Sequence, residues 1–349
     1  MDSSGERKTV RVLIGSPFEP ELVGRIRAVD PRLNVVYRQD LLGKPRFPGD
    51  HNAPMERTQA QEEEWDRLMA SAEVMLDAYR PSSSHLPRRA PRLRWIQFSS
   101  SGIGGLVEQM GLADSSILVT NVAGMHGTPL AEFALLSMLY FAKDLPSVLA
   151  DQRQHRWRRF AAHSLNGRNL GIIGLGGVGR EVARLARAVG MRVAGTKRTT
   201  EGTSPDANYV DAIYPNDDLR PLLAESDYLV LSVPLTPETD GLISEQELDA
   251  MKPGAILLNI SRGAVVDEPA MIRALQSGHL GGAALDVFAE EPLPDDSPLW
   301  DMPNVLVTSH SMSTVVGENE EVVDRFIDNL HRYLAGQPLR NLFDRARGY

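Results

Sequence analysis

The chain of 349 residues carries 42% apolar and 24% charged side chains and a formal net charge of −9. That composition suits a globular protein long enough for two domains and argues against a nucleic-acid partner. There is no cysteine, which excludes disulfides, thiolate metal sites and a cysteine nucleophile.

The first eight residues hold no apolar stretch of the kind a secretory signal needs, so the expected location is the cytoplasm. Short apolar runs then recur at 10–14, 35–37, 74–78, 95–97 and 118–120, the pattern of short buried parallel strands. Between 40 and 64 the chain is polar, with Gly43, Pro45, Pro48, Gly49 and Pro54. This predicts a loop giving way to a helix from about Gln59, with Glu62, Glu63 and Glu64 on its solvated face. Ser99, Ser100, Ser101, Gly102, Ile103 and Gly104 follow the fourth run. Such small residues serve any tight turn, and equally a close approach of backbone to ligand.

A turn-rich segment, 121–129, contains His126, read as structural, and leads into an apolar stretch at 130–142 that includes Glu132. It is too short to span a bilayer and reads as a buried helix carrying the chain from one domain to the next. The run Arg153, Gln154, His155, Arg156, Trp157, Arg158, Arg159 is basic with an aromatic inside it, as some nucleic-acid surfaces are; the acidic total speaks against that use.

Residues 170–180 form an apolar run that breaks into Gly174, Gly176 and Gly179, spaced G-x-G-x-x-G, and continues in a helical pattern from 181 to 189. A dinucleotide pyrophosphate needs this order of strand, turn and helix. Gly174 allows the turn, Gly176 lets backbone approach the phosphates, Gly179 lets helix pack on strand, and the helix N-terminus offers unpaired N–H groups. Further strand-like runs at 192–195, 228–233, 255–260, 282–287 and 305–309 bring the total to six, enough for a doubly wound parallel sheet. Where a cofactor with a free ribose 2′-hydroxyl would meet an acidic residue, the chain has Thr196, Lys197 and Arg198. Two cations suit a 2′-phosphate, so NADP is preferred and NAD remains possible; both are alternatively solvated residues at a strand end.

Helical spacing returns at 314–334, through Val315, Val316, Val322, Val323, Phe326, Ile327, Leu330 and Leu334. Two crossings imply that a Rossmann domain, 123–310, is inserted into a smaller, flavodoxin-like α/β substrate domain made of 1–122 and 311–349, with a hinged cleft. Ligands of open parallel sheets sit beyond the carboxyl ends of the strands, and Arg262, Glu291 and His310 follow three such ends. Singly, each has an ordinary reading as a cap, a surface carboxylate or a satisfied loop histidine. Jointly, beside a dinucleotide loop, they are candidates for chemistry. His51, His85, His163, His279 and His331 show no paired ligand spacing, so no metal is expected.

The segments 259–263 (NISRG), 284–294 (ALDVFAEEPLP) and 304–310 (NVLVTSH), with 234–239 (PLTPET), 251–254 (MKPG) and 124–132, resemble the D-isomer-specific 2-hydroxyacid dehydrogenases over nearly the whole chain. The resemblance implies that Arg262 holds the substrate carboxylate and polarises its keto oxygen. It also implies that His310 exchanges the proton, and that Glu291 orients His310 and favours the imidazolium. It places Asp286 near the nicotinamide carboxamide, or else as a buried structural carboxylate. The pyrophosphate falls to backbone around Gly177 and Val178, further cofactor contacts to Val233, Pro234, Thr239, Ile260 and Ser261, and the substrate carboxylate to backbone of Ser100, Ser101, Gly102 and Ile103. Tyr79, Arg80, Trp157 and Met312 are candidates for the pocket wall, and a homodimer contact falls near the basic run. The expected activity is NADPH-dependent reduction of small 2-oxo acids, like that of glyoxylate and hydroxypyruvate reductases. An NAD-linked D-2-hydroxyacid dehydrogenase and a dinucleotide-sensing, corepressor-like protein are the alternatives.

Overall fold

Five short runs in the first third of the chain pair as parallel strands, β1 (Val10–Ile14), β2 (Leu33–Val36), β3 (Val74–Leu76), β4 (Trp95–Gln97) and β5 (Leu118–Thr120), in the order β2-β1-β3-β4-β5. The computed structural model describes residues 9–78, 85–198 and 208–348. It divides into a first unit, Met1–Met125 with Thr314–Tyr349, and a second, His126–Ser313.

In the first unit, strand alternation feeds two cores. Val12, Ile14, Val74 and Leu76 join Leu22, Val23, Ile26 and Phe326 on one face, and Leu13, Met75 and Ile96 join Trp65, Leu68 and Met69 on the other, as the two-residue period of a strand requires. β3 ends earlier than its apolar pattern predicts because Asp77 takes φ 58 and turns the chain. The helix Gln59–Ser71 starts where expected: the Thr58 hydroxyl accepts from Gln61 N–H and the Gln61 side chain accepts from Thr58 N–H, a reciprocal cap that contributes about 1 kcal/mol. Its acidic run is only partly solvated, since Glu62 pairs with Arg57 and Arg89, and Glu64 with Arg38 and Arg67. The helix Glu318–Leu334 begins after Gly317, at φ 90, so Val315 and Val316 stand outside its apolar stripe and Val316 is 91% exposed. Phe326 of that helix stacks on Trp95, with ring centroids 5.1 Å apart.

The second unit has one strand more than the apolar pattern predicts. Its parallel sheet runs β12-β11-β10-β9-β6-β7-β8, with β6 (Asn169–Ile173), β7 (Arg192–Lys197), β8 (Ala212–Pro215), β9 (Tyr228–Leu231), β10 (Ala255–Asn259), β11 (Leu280–Leu285) and β12 (Val305–Val307). The additional strand, β8, lies at the edge, half-buried and closed by a proline. The order reverses between β6 and β9, where the switch point of a doubly wound sheet takes its ligand. The helix Gly127–Ala142 buries Leu130, Ala131, Phe133, Ala134 and Met138 in the core that also holds Val182, Ala183 and Ala186 of the helix Gly177–Ala188. Among the described residues, no single helix is long and apolar enough to cross a membrane.

Candidate active site

The glycine turn closes β6. Gly174 sits at φ 99, and a Cβ there would meet Val233 Cγ1 at 2.7 Å; a Cβ on Gly179 would meet the Gly174 carbonyl oxygen at 2.2 Å. Both positions therefore demand glycine, one for its dihedral and one for helix-on-strand packing. A Cβ on Gly176 would meet nothing within 4 Å, so that glycine faces open space at the helix N-terminus. The arrangement fits a dinucleotide pyrophosphate, which needs bare backbone and N–H groups there. Gly177 is exposed and Val178 half-buried in the helix's first turn.

Thr196 is fully buried, and its hydroxyl accepts from Gly174 N–H at 3.2 Å, bracing the turn from beneath. Lys197 ends β7 half-buried and Arg198 follows it, exposed. Arg198 lies close enough to Glu238 to help hold that carboxyl below its ordinary range, after the larger effects of the Thr236 hydroxyl and of Glu238's own N–H. The loop from Pro234 to Thr239 is closed by the Thr239 hydroxyl, which donates to Pro234 O at 2.7 Å and accepts from Thr236 N–H at 2.8 Å. The cation-bearing end of β7 and this loop are thus neighbours.

Arg262 is set by the end of β10. Ser261 donates through its hydroxyl and N–H to Asn259 Oδ1, at 2.7 and 3.1 Å, while Asn259 Nδ2 donates to Arg262 O at 3.0 Å. Ile260 and Ser261 are buried. Burial pushes the Arg262 guanidinium down from its ordinary value, against the raising effect of the Glu291 charge. The next residue, Gly263, passes so close to Phe288 that a Cβ would fall 1.9 Å from its carbonyl, which brings the Arg262 and Glu291 segments together.

Glu291 Oε1 accepts from Phe288 N–H at 3.1 Å and Oε2 accepts from His310 Nδ1 at 2.7 Å. Burial raises the Glu291 carboxyl, but the His310 hydrogen bond, the Phe288 N–H and the charges of His310 and Arg262 together leave it lowered. An ionised carboxylate only accepts, so Nδ1 carries a hydrogen and Nε2 is the exchangeable position. The side chains of His310 and Glu291 are 40% and 36% exposed, so the pair is reachable from outside.

His310 itself sits at φ 49, uncommon for a residue with a side chain. Asp286, buried after β11, holds it there: its carboxylate accepts from the Thr308 hydroxyl at 2.7 Å, Ser311 N–H at 3.1 Å and Met312 N–H at 3.3 Å. Burial pushes this carboxyl up, and the three donors oppose that. Asn259 and Thr308 were not among the residues singled out from the sequence, although each stands inside a motif that was.

In the first unit, Ser100 and Ser101 are half-buried, Gly102 is exposed and Ile103 is wholly buried, backbone included, so of the four Gly102 is the most open. The loop is pinned by Asp77 Oδ1, which accepts from Ser99 N–H at 2.9 Å, and by Asn121 Nδ2, which donates to Ser101 O at 3.2 Å. Trp157 is 93% exposed, and Met312 packs partly against the second unit's core. Tyr79 and Arg80 lie outside the described residues. No cluster of three or more metal-ligating side chains occurs among the described residues.

Residues 135–311 match the model of the D-isomer specific 2-hydroxyacid dehydrogenase, NAD binding domain, family. A glyoxylate reductase of Thermococcus gammatolerans is 36% identical over 257 residues, covering 71% of this chain and 75% of the relative. Among solved structures, a D-isomer specific 2-hydroxyacid dehydrogenase from Xanthobacter autotrophicus Py2, in complex with NADPH and MES, is 30% identical with a TM-score of 0.77, over 97% of this chain and 100% of that one. An NADPH-dependent glyoxylate/hydroxypyruvate reductase from Sinorhizobium meliloti, in complex with NADP and sulfate, is 25% identical with a TM-score of 0.79, over 98% and 100%. With a parallel sheet carrying the glycine turn at its switch point and Arg262, Glu291 and His310 beyond its strand ends, the chain belongs to the D-isomer-specific 2-hydroxyacid dehydrogenase family and is an NAD(P)-dependent oxidoreductase.

Proposed function

We propose that the protein is an NADPH-dependent reductase of small 2-oxo acids of the glyoxylate and hydroxypyruvate type, working as a homodimer. The observation that carries this reading is the 2.7 Å bond from His310 Nδ1 to Glu291, beside Arg262. When bound, the nicotinamide supplies the hydride for reduction and accepts it for oxidation. The Arg262 guanidinium is a fixed cationic fork for the carboxylate and keto oxygen of a 2-oxo acid. Glu291 orients His310 through Nδ1–H, so that Nε2 faces outward as the position that gives a proton to the forming alkoxide oxygen and, in the reverse direction, takes it back. Backbone of the Ser100–Ile103 loop is the second hold on the substrate carboxylate.

Lys197 and Arg198 support the NADP preference, because β7 ends without the acidic residue that a free ribose 2′-hydroxyl calls for. Replacing Lys197 by Asp should lower kcat/KM with NADPH by roughly tenfold or more relative to NADH. An unchanged cofactor ratio would overturn the NADP assignment, and failure of glyoxylate and hydroxypyruvate to oxidise either cofactor would overturn the substrate class. The apolar side chains that the second unit leaves in solvent, Leu136, Leu149, Trp157 and Phe160, support the face for a second copy.

A further inference from the structure

The first unit's sheet has its own switch point, between β1 and β3, and the residues leaving those two strands are polar and buried: Ser16 after β1 and Asp77 after β3. The Ser16 hydroxyl donates to Asp77 Oδ2 at 2.8 Å, and His51 Nδ1 lies 3.5 Å from the same Ser16 oxygen. Ser16 has one hydrogen, and the carboxylate takes it. Its oxygen is left only to accept, so the contact calls for a hydrogen on Nδ1 of His51, and in the neutral ring Nε2 then presents a lone pair. The ring is braced by Phe18, with centroids 5.0 Å apart. Its backbone is braced by Asp50, whose carboxylate accepts from Arg46 N–H at 3.0 Å and Asn52 N–H at 3.3 Å. Nε2 is buried with no hydrogen-bond partner among the described residues, a condition that native interiors rarely carry without a use. The other oxygen of Asp77 holds Ser99 N–H, at the head of the substrate loop.

We propose that His51 is a specificity-determining residue, positioned through Ser16 by Asp77, and that it accepts a hydrogen bond from a hydroxyl on carbon 3 of the 2-oxo acid. The assignment rests on the reductase reading above. A strand-end switch point is where open parallel sheets bind ligands, and the chain from Asp77 gives this one an acceptor of fixed tautomer. Glyoxylate has no group to reach it; hydroxypyruvate does. Asp77 touches the substrate loop and the His51 relay together, and so sets the distance between the holds on the two ends of the molecule.

The test uses the full chain with hydroxypyruvate and glyoxylate as probes. His51→Phe, which keeps the ring and removes its nitrogens, should lower the ratio of kcat/KM for hydroxypyruvate over glyoxylate by roughly tenfold or more, and Ser16→Ala should lower it in the same direction. Asp77→Asn should raise KM for both acids by a larger factor than it lowers kcat. A ratio unmoved in both of the first two variants overturns the assignment, as does an Asp77→Asn effect confined to thermal stability. The imidazole nitrogen spectrum, with His51 identified by its loss in His51→Phe, gives a readout free of turnover. The Nδ1–H tautomer is expected, and the Nε2–H tautomer overturns the relay whichever substrate the enzyme takes. Turnover of neither acid with the expected tautomer present would instead strike the reductase reading.

Discussion

The Glu291 carboxyl lies below its ordinary value of 4.5 because His310, the Phe288 N–H and Arg262 outweigh its burial. A carboxyl with a depressed value keeps its charge as the pH falls through the ordinary range and loses it only below, and with it goes the partner of His310 Nδ1. The acid limb of the kcat/KM profile should accordingly fall below 4.5; a limb above that value would contradict an ionised Glu291 as the partner. Replacing Glu291 by Gln retains its size but removes the charge and offers an ambiguous partner to Nδ1, so turnover should drop by about 10²–10⁴. His310→Ala should lose a similar factor, and the double variant little more than either single one, because the two residues act as a unit. Independent, multiplying losses would mean that they do separate work.

At the scale of elements, the candidate residues Arg262, Glu291 and His310 meet because strand ends converge, and the tightest crossing among the described residues is at Gly263. A methyl there would fall 1.9 Å from the Phe288 carbonyl, so backbone has to move. Gly263→Ala should cost about 1–3 kcal/mol of stability and lower kcat/KM as Arg262 and Glu291 separate; calorimetry with steady-state kinetics would show both, and wild-type behaviour in both would refute the crossing's role. This crossing could not be read from the chain, since Gly263 and Phe288 are joined only by the pairing of β10 with β11. The glycine turn was legible because all its parts are local: Gly174 meets Gly179 within one turn and one helix start. The three strand-end residues were legible as candidates for the same reason, whereas the bond from His310 to Glu291 and the hold of Asp286 on Thr308, Ser311 and Met312 are tertiary. The missed strand β8 is short, half-buried and proline-ended, so it lacks the continuous apolar run that marked the central strands. The readings of β3, β9 and β12 each extend two residues past the strand end, into 77–78, 232–233 and 308–309; after β3 the stop is the turn at Asp77, with φ 58.

For the whole molecule, the remaining question is what covers the apolar side chains of the second unit. Trp157 is 93% exposed, Leu136 56%, Phe160 42% and Leu149 40%, and Trp157 stands in a run of arginines of which Arg158 is already bound to Asp151 at 2.6 Å and stacked on Phe160 at 4.9 Å. The run is therefore ordered by its own ion pair and ring contact while its largest aromatic stays in solvent. An exposed tryptophan contributes strongly when a surface covers it, and a two-fold contact between two copies would bury two at once. Sedimentation of the full chain at micromolar concentration should give a dimer, with a Tm that rises with protein concentration because association stabilises only the folded state. Trp157→Ala should weaken that dimer by about 2 kcal/mol or more and flatten the concentration dependence. A monomeric wild type, or a variant that dimerises as tightly, would leave Trp157 without the role assigned to it.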